Sequence, residues 1–278
     1  MTEICVHIVA RNEAENLPRT LDALLQQTIS FKRILLIDDG STDNTGKIGK
    51  DYGIVVIGLP YHRENYQTDP ASGWKMARVL NHAHPVPPCD FFMELGADTV
   101  LPREYVEIVV DRMEEDRRTV IAGGVLQDLP QVEWSVIGSG RIYRTSFWNT
   151  HIKHYPEAEG YETYPLFKAL SLGYHITTYF DVIMKGQRRT KLFKSKYGVA
   201  MRTLDYFPPY ALTKCFASIL AGRKPGIQMT LSYLKRPSKA SPNWALDQQT
   251  KNWIRLQQCK TLLSPKHTMK TWTERLRA

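Results

Sequence analysis

A run of four aliphatic residues at positions 34–37 stops abruptly at two adjacent carboxylates, Asp38 and Asp39. Four consecutive apolar residues are typical of a short strand that is buried on both faces of a parallel sheet. A Gly-Ser turn follows, and Thr42 or Asp43 can cap a helix that begins near residue 44. Carboxylates at the carboxyl end of such a strand lie where open α/β sheets bind ligands. An ordinary surface loop with acidic capping residues would have the same local pattern.

The N-terminal part of the chain alternates between apolar runs and helical patterns. Strands are predicted over residues 4–10, 34–37 and 53–59, with helices from residue 17 and over residues 45–52. Four leucines mark the buried face of the first helix: Leu17, Leu21, Leu24 and Leu25. This βαβαβ order predicts right-handed crossovers and a parallel sheet, so the fold class is α/β.

The later part of the body continues the alternation. Strands are predicted over residues 90–95, 120–125, 135–143 and 175–183, and helices over residues 73–84, 102–118 and 160–173. Beyond residue 185, apolar residues at positions 212, 215, 216, 219 and 220 have helical spacing, and residues 247–263 predict an amphipathic helix. We therefore place a domain boundary between residues 189 and 190, with domains at 1–189 and 190–278.

The charge of this 278-residue chain is divided unevenly. Residues 1–184 contain 17 Lys and Arg against 25 Asp and Glu, whereas residues 185–278 contain 20 basic and 3 acidic residues. The net charges are therefore −8 and +17. Such a division suggests an enzyme-like body joined to a segment that meets an anionic partner.

Cysteine usage and the N-terminal sequence bear on the compartment. The four cysteines are scattered, without the paired spacing of zinc or iron–sulfur sites: Cys5, Cys89, Cys215 and Cys259. The N-terminus has no signal-peptide pattern. We expect free thiols and a reducing, cytoplasmic location.

Acidic residues follow three of the predicted strands. Glu13 follows the first, Asp38 and Asp39 follow the second, and Asp98 follows the fourth; Glu162 opens a late helix. Carboxylates at several strand ends converge on one rim of a parallel sheet, which predicts a binding site there.

Five stretches resemble the family 2 glycosyltransferases, inverting enzymes that use a nucleotide-diphosphate sugar on an α/β fold called GT-A. They are residues 8–13 (IVARNE), 36–45 (LIDDGSTDNT), 73–81, 95–99 with Pro102, and 160–174. Together they extend over roughly residues 4–185. The resemblance implies a mostly parallel, Rossmann-type sheet flanked by helices, followed here by a basic helical extension.

The resemblance implies a set of donor-binding residues: Ala10, Arg11, Glu13, Asp38, Asp39, Arg78, Gly96, Ala97 and Asp98. Within this set, Glu13, Asp38 and Asp39 would accept hydrogen bonds from the base and the ribose, and Arg78 would help to hold the nucleotide.

The resemblance also implies a divalent cation, Mg²⁺ or Mn²⁺, at an Asp-x-Asp triplet. Here the triplet reads Gly96-Ala97-Asp98, so only Asp98, the expected metal ligand, keeps its carboxylate. Glu94, on the same strand face as Gly96, is a candidate for compensation. Lys185 could partly substitute for the cation if it reached the diphosphate.

The catalytic base implied by the resemblance is Glu162, eleven residues before Gly173. The family's Glu-Asp pair reads Tyr161-Glu162 here, and a glutamate can deprotonate an acceptor hydroxyl. Glu159 is the alternative base. A glutamate in the first turn of a helix can also serve only the helix dipole.

A basic run follows the last predicted strand of the body: Lys185, Arg188, Arg189, Lys191, Lys194 and Lys196. It is predicted either to close over the diphosphate or to be a solvated linker. For residues 190–278 we favour contact with an anionic membrane surface, which suits a lipid-linked sugar or polyprenyl phosphate as acceptor. A packing or subunit module is the second hypothesis, and nucleic acid is disfavoured because no recognisable module accompanies the charge.

The predicted function is therefore sugar transfer from a nucleotide-diphosphate sugar to an acceptor hydroxyl or phosphate by direct displacement. A sugar nucleotidyltransferase is the first alternative, although the Gly-rich phosphate loop of that class is absent after the first strand. A non-catalytic nucleotide-sugar-binding scaffold is the second alternative, because Gly96 weakens the triplet.

Overall fold

A computed structural model describes residues 2–63, 73–127, 129, 135–188, 196–220, 225–234 and 246–264. The chain divides into two compact units. The first contains Met1–Arg63, Val79–His154 and Tyr174–Thr190, and the second contains Glu64–Arg78, Tyr155–Gly173 and Lys191–Ala278. The domain boundary expected between residues 189 and 190 stays a prediction.

The first unit is built on strands in the spatial order β3-β2-β1-β4-β7-β6-β8-β5. Their bounds are β1 (Ile4–Ala10), β2 (Arg33–Asp38), β3 (Val55–Gly58), β4 (Phe91–Gly96), β5 (Thr99–Val100), β6 (Thr119–Leu126), β7 (Arg141–Arg144) and β8 (His175–Gly186). The four strands β3, β2, β1 and β4 pair in parallel, as do β6 and β8, whereas β7 is antiparallel to both of its neighbours. The predicted α/β fold is confirmed.

The first half of the chain also contains helices. They are α1 (Leu17–Leu25), α2 (Thr45–Asp51), α3 (Gly73–Asn81) and α4 (Tyr105–Glu115), followed by a single turn, α5 (Thr145–Phe147), and a π-helical turn (Trp148–Ile152). Three of the four leucines predicted on the inner face of α1 are fully buried, but Leu25 is exposed. Leu25 is the last residue of α1, next to the exposed turn that follows, so helical spacing alone misplaced it.

Strand register brings the carboxyl ends of three strands together. Ala10 at the end of β1 pairs with Asp38 at the end of β2, and Val9 pairs with Gly96 at the end of β4. Strands β1 and β4 are almost entirely buried and β2 is buried at residues 35–37, as the uninterrupted apolar runs predict for a parallel sheet covered on both faces. The residues that follow the three strands therefore start from neighbouring positions on one rim.

The strand predicted over residues 135–143 is shorter than expected, because β7 begins only at Arg141. Gly140 has a φ angle of +76°, and a Cβ there would lie 2.3 Å from the sulfur of Met184. A left-handed glycine packed this closely makes a turn immediately before the strand. The carbonyl oxygen of Gly140 accepts a hydrogen bond of 2.8 Å from the hydroxyl of buried Tyr105.

The second unit is helical in its described part and contains α6 (Tyr164–Ser171), α7 (Lys196–Thr203), α8 (Pro208–Leu220), α9 (Pro225–Leu234) and α10 (Gln248–Leu263). Helices α7 and α9 pack closely because residue 198 is glycine: a Cβ there would lie 2.1 Å from the carbonyl oxygen of Met229. Asp247 caps α10 by accepting a 3.0 Å hydrogen bond from the N–H of Thr250. None of the helices in the described ranges is long and apolar enough to cross a bilayer.

Candidate functional site

The turn after β2 is held by the carboxylate that precedes it. Asp38 Oδ1 accepts a 3.0 Å hydrogen bond from the N–H of Ser41, while Gly40 adopts a left-handed φ of +65°. A Cβ on Gly46 would lie 2.5 Å from Asp38 Oδ2, so only glycine lets α2 start this close to the carboxylate. Asp38 therefore has a structural role in this turn, which agrees with the alternative interpretation of a surface loop with acidic capping residues.

The loops after β1 and β2 are fastened to each other. Asn12, in the left-handed region, accepts a 2.8 Å hydrogen bond from the N–H of Thr42 and donates its own N–H to Ser41 Oγ at 2.9 Å. Asp43 accepts from the N–H groups of Ala14 and Thr45. Burial alone would raise the pKa of Asp43, but the hydrogen bonds from Thr45 and Ala14 hold it below its usual value. The loops that carry Arg11, Glu13 and Asp39 are therefore fixed relative to each other.

Asp39 is a buried carboxylate with one oxygen hydrogen-bonded and the other held only by a longer ion pair. Asp39 is 2% exposed, and its Oδ1 lies 3.0 Å from Nε2 of His62. Oδ2 faces Nη1 of Arg11 at 3.7 Å, and no side chain or backbone group in the described part of the chain makes a hydrogen bond to it. A buried carboxylate oxygen without a hydrogen bond is costly unless a ligand satisfies it.

Arg11 connects this carboxylate to an exposed aromatic ring. Its Nη2 donates a hydrogen bond to the carbonyl oxygen of His62, and its guanidinium carbon lies 5.9 Å from the centre of the Tyr61 ring. Tyr61 is exposed. A flat, exposed ring and a guanidinium beside a buried hydrogen-bond acceptor are suited to an aromatic base.

A second charged cluster lies at the ends of β1, β4 and β8. Arg188 Nη2 is 2.5 Å from Glu13 Oε1, and Arg188 Nε is 2.6 Å from Asp98 Oδ2. Glu13 is 3% exposed at its side chain, Asp98 25% and Arg188 43%. One guanidinium therefore bridges two carboxylates that the sequence assigned to nucleotide and metal binding.

Gly96 occupies the first position of the predicted triplet, where any larger residue would meet close side-chain neighbours. Its N–H donates to Ser139 Oγ at 2.9 Å. A Cβ on Gly96 would lie 3.0 Å from Asp98 Oδ1 and 3.1 Å from Ser139 Oγ, so either side chain would have to shift. Glu94 does not take its place: it is buried, and its Oε2 lies 3.4 Å from the hydroxyl of Tyr143.

Glu162 and Arg78 belong to the second unit. Glu162 is exposed in the turn before α6, and its Oε1 accepts a 3.0 Å hydrogen bond from the hydroxyl of Tyr161. Partial desolvation of the Tyr197 hydroxyl, together with the negative charge of Glu162, raises the pKa of Tyr197. Arg78 is bound to Glu157, with Nη2 and Nε at 2.8 and 3.0 Å from Oε2.

The family comparison decides the identity. The model of glycosyl transferase family 2 matches residues 5–157, more than half of the chain, including both charged clusters except Arg188. The chain belongs to this family. It is a glycosyltransferase, as the resemblance predicted. A search of curated proteins found no match.

Solved structures place this glycosyltransferase in the predicted GT-A fold. TarS residues 1–349 from S. aureus, in complex with UDP-GlcNAc, match with a TM-score of 0.55 and 15% identity over 100% of this chain and 92% of that one. The mannosyltransferase PcManGT from Pyrobaculum calidifontis, in complex with GDP-Man and Mn²⁺, matches with a TM-score of 0.59 and 14% identity. The match covers 98% of this chain and 84% of that one. The chain spans 43% of a longer S. aureus TarS structure. At such identities the likeness shows the fold alone.

The glycosyltransferase brings most of the predicted donor-binding residues together. Glu13, Asp38, Asp39 and Asp98 lie at or just after the ends of neighbouring strands, and Arg11 is ion-paired with Asp39. Three more contribute backbone groups: Ala10 O accepts from Asp39 N–H at 2.8 Å, Ala97 O accepts from Thr20 Oγ1 at 2.8 Å, and Gly96 N–H donates to Ser139 Oγ. The binding roles of these residues, of Arg78 and of Glu162 stay predictions.

The residues around Asp98 do not fit a divalent cation well. Within the described ranges, no group of three or more His, Cys, Asp or Glu side chains could hold a metal ion. Asp98 is the single carboxylate of its triplet and is already paired with Arg188, and Mg²⁺ or Mn²⁺ needs several oxygen ligands. We therefore derive no step of the reaction through a metal ion.

Two contacts of the site were not anticipated from the sequence. In the sequence, His62 is one polar residue among several in the loop after β3. The feature that could have located it beside Asp39 is the pairing of β2 with β3, which ends at Asp38. Arg188 was visible as part of the basic run, without its two carboxylate partners. Arg189, Lys191 and Lys194 of that run lie outside the described residues.

Proposed function

We propose that this glycosyltransferase uses a nucleoside-diphosphate sugar and that the rim formed by residues 10–13, 38–39 and 96–98 binds the nucleotide. The observation that carries the proposal is Asp39, a buried carboxylate whose Oδ2 lacks a hydrogen bond from the described residues. The imino or amino N–H of a base would satisfy that oxygen. The related folds bound to UDP, UDP-GlcNAc and GDP-Man support this class of donor.

Each neighbouring residue then has a defined task. Arg11, held against Tyr61 and His62, would flank the base. Glu13 and Asp38 would accept hydrogen bonds from the ribose hydroxyls, and Arg78 would help to hold the nucleotide. The predicted Mg²⁺ or Mn²⁺ ion is given no part in this reaction, because the carboxylate of Asp98 is paired with Arg188.

The proposed reaction is direct displacement at the anomeric carbon. The acceptor oxygen forms a new bond to that carbon while the bond to the diphosphate oxygen breaks, and the bonding electron pair leaves with the diphosphate. Glu162 takes the proton of the acceptor hydroxyl, and Glu159 is the alternative base. The configuration at the anomeric carbon would be inverted, as the sequence resemblance implies.

A lipid-linked acceptor is proposed from the surface of α8 and α9. The exposed residues of α8 recur at helical spacing, as do those of α9: Leu212, Phe216, Ile219 and Leu220, then Ile227, Leu231 and Leu234. Cys215 of α8 and Met229 and Tyr233 of α9 are buried. Two apolar helix faces in a segment of net charge +17 are suited to an anionic lipid surface, which supports peripheral association with the cytoplasmic face of a membrane.

Vesicle flotation tests the membrane proposal. We expect more protein to float with anionic than with neutral vesicles, and the pair Phe216→Ser and Leu231→Ser to weaken binding about tenfold or more, because each apolar side chain buried in the interface contributes about 1.5–3 kcal/mol. Leu25→Ser, at an exposed leucine of the first unit, is the matched control.

Two outcomes would contradict the membrane proposal. Equal recovery with neutral and anionic vesicles would remove its electrostatic part. Unchanged flotation of the double variant, or a lipid-independent dimer that the double variant dissociates, would instead identify the faces as a packing surface.

The function itself is tested with a panel of nucleotide sugars. We expect release of the nucleoside diphosphate from at least one donor, stimulated by a polyprenyl phosphate or lipid-linked sugar, and slowed in Asp98→Ala. Tight binding without turnover of any donor would favour the scaffold alternative. Formation of a nucleotide sugar from a nucleoside triphosphate and a sugar phosphate would favour the nucleotidyltransferase.

A further inference from the structure

We propose that the guanidinium of Arg188 supplies, in this chain, the positive charge that neutralises the donor diphosphate, so that nucleotide binding does not require a divalent cation. The inference rests on the proposed function and deepens it. Its starting point is the pairing of Arg188 with Glu13 at 2.5 Å and with Asp98 at 2.6 Å.

The pairing makes Asp98 a poor ligand for a divalent ion. Such an ion would approach the carboxylate that already holds Arg188 Nε, and the two positive charges would repel each other. Gly96 contributes no carboxylate, and a side chain there would lie within 3.0–3.1 Å of Asp98 and Ser139. The local packing therefore favours one guanidinium over a metal ion with several carboxylate ligands.

An arginine has the chemistry that this position requires. Its planar guanidinium donates paired hydrogen bonds to phosphate oxygens, as it does to carboxylates, and it stays charged at every physiological pH. A diphosphate carries more negative charge than either carboxylate. Transfer of Arg188 from Glu13 and Asp98 to the diphosphate would also release both carboxylates to accept hydrogen bonds from ribose hydroxyls.

The backbone before Arg188 is anchored, which leaves the movement to its side chain. The N–H of Gln187 donates to the carbonyl oxygen of Asp98 at 2.8 Å. The Gln187 side chain donates to Asn16 O and Thr20 Oγ1, each at 3.0 Å. Arg188 itself is 43% exposed, so its guanidinium can turn from the carboxylates to a bound phosphate while its Cα stays at the rim.

The test is calorimetric titration of the full chain with UDP and with GDP, in EDTA and in Mn²⁺. We expect the wild-type protein to bind one of them with a Kd in EDTA within about threefold of that in Mn²⁺. Arg188→Ala should weaken binding in EDTA by about 10- to 100-fold, the range for hydrogen bonds to a charged group. Mn²⁺ should restore part of this loss, because Glu13 and Asp98 are then without their guanidinium.

Two further variants separate charge from fold. Arg188→Lys keeps the charge but not the paired donors, and it should fall between wild type and Arg188→Ala. Arg112→Ala removes an arginine whose Nη2 is ion-paired to Asp181 at 2.6 Å, and it should leave both Kd values unchanged.

The outcomes distinguish the inference from the proposed function. Wild-type binding that appears only with Mn²⁺, or an Arg188→Ala variant that binds like wild type in EDTA, would overturn the inference and leave the proposed function standing. Absence of nucleotide binding in both media would overturn the proposed function, and the inference with it.

Discussion

Replacing Glu162 with Gln is expected to lower kcat for sugar transfer by about 10²- to 10⁴-fold, the usual contribution of a general base. The substitution keeps the size of the side chain and its hydrogen bond with the hydroxyl of Tyr161, but it removes the group that accepts the acceptor's proton. The Kd for the nucleoside diphosphate should change little, because binding of the leaving group does not need the base. Transfer rates under saturating donor and acceptor, together with the Kd, measure both quantities.

Glu159→Gln is the matched control for this prediction, since Glu159 lies three residues earlier and was the alternative base. If Glu162 is the base, Glu159→Gln should retain kcat within a few fold. A large loss in Glu159→Gln with little loss in Glu162→Gln would assign the role to Glu159. Full activity in both variants would contradict the mechanism of base-assisted displacement by this turn.

Replacing Asp39 with Ala is expected to weaken binding of the nucleoside diphosphate by about 10- to 100-fold, because hydrogen bonds to a charged group are worth about 1.5–3 kcal/mol. The variant removes the buried Oδ2 that we assign to the base, and it also removes the partner of His62 and Arg11. Asp39→Asn keeps one carbonyl oxygen and the shape of the side chain, so we expect a smaller loss. Calorimetric Kd values measure both.

The control for Asp39 is Asp51→Ala, which removes an exposed aspartate at the end of α2 and should leave the Kd unchanged. Thermal unfolding of each variant separates a binding effect from a loss of folded protein. Wild-type nucleotide affinity in folded Asp39→Ala would contradict the assignment of this carboxylate to the base.

The central strands could be predicted closely because buried strands require uninterrupted runs of apolar residues, which are visible in the sequence. Strand β1 has the predicted bounds, and β2 extends one residue beyond the predicted run at each end. Strands covered on both faces need uninterrupted apolar residues, and the turns between them need glycine or short polar residues. Strand β5 consists of two residues that pair antiparallel with β8, and it is too short to form such a run.

The site could be predicted as far as its strand-end carboxylates, but not its ion pairs. Parallel pairing alone places Asp38 beside Ala10, and Gly96 beside Val9, at the carboxyl end of β1. The convergence of the acidic residues that follow therefore results from the fold class. The pairing of Arg188 with Asp98 depends on where β8 ends beside β5, which is set by antiparallel pairing that the sequence pattern did not reveal.

Helix α8 shows a further limit of sequence patterns. Residues 212, 215, 216, 219 and 220 have the helical spacing that usually marks a buried face, yet only Cys215 among them is buried. Phe216 is 61% exposed and Leu220 72% exposed. Periodicity identifies an apolar helix face, but it does not say whether protein, lipid or another subunit covers that face.

A crystal structure of the complex with UDP or GDP tests the central claim most directly. The account predicts the base within hydrogen-bonding distance of Asp39 Oδ2 and beside Arg11, with the diphosphate directed toward Arg188 and Asp98. A nucleotide bound elsewhere, with Asp39 still enclosed by His62 and Arg11 alone, would contradict the account.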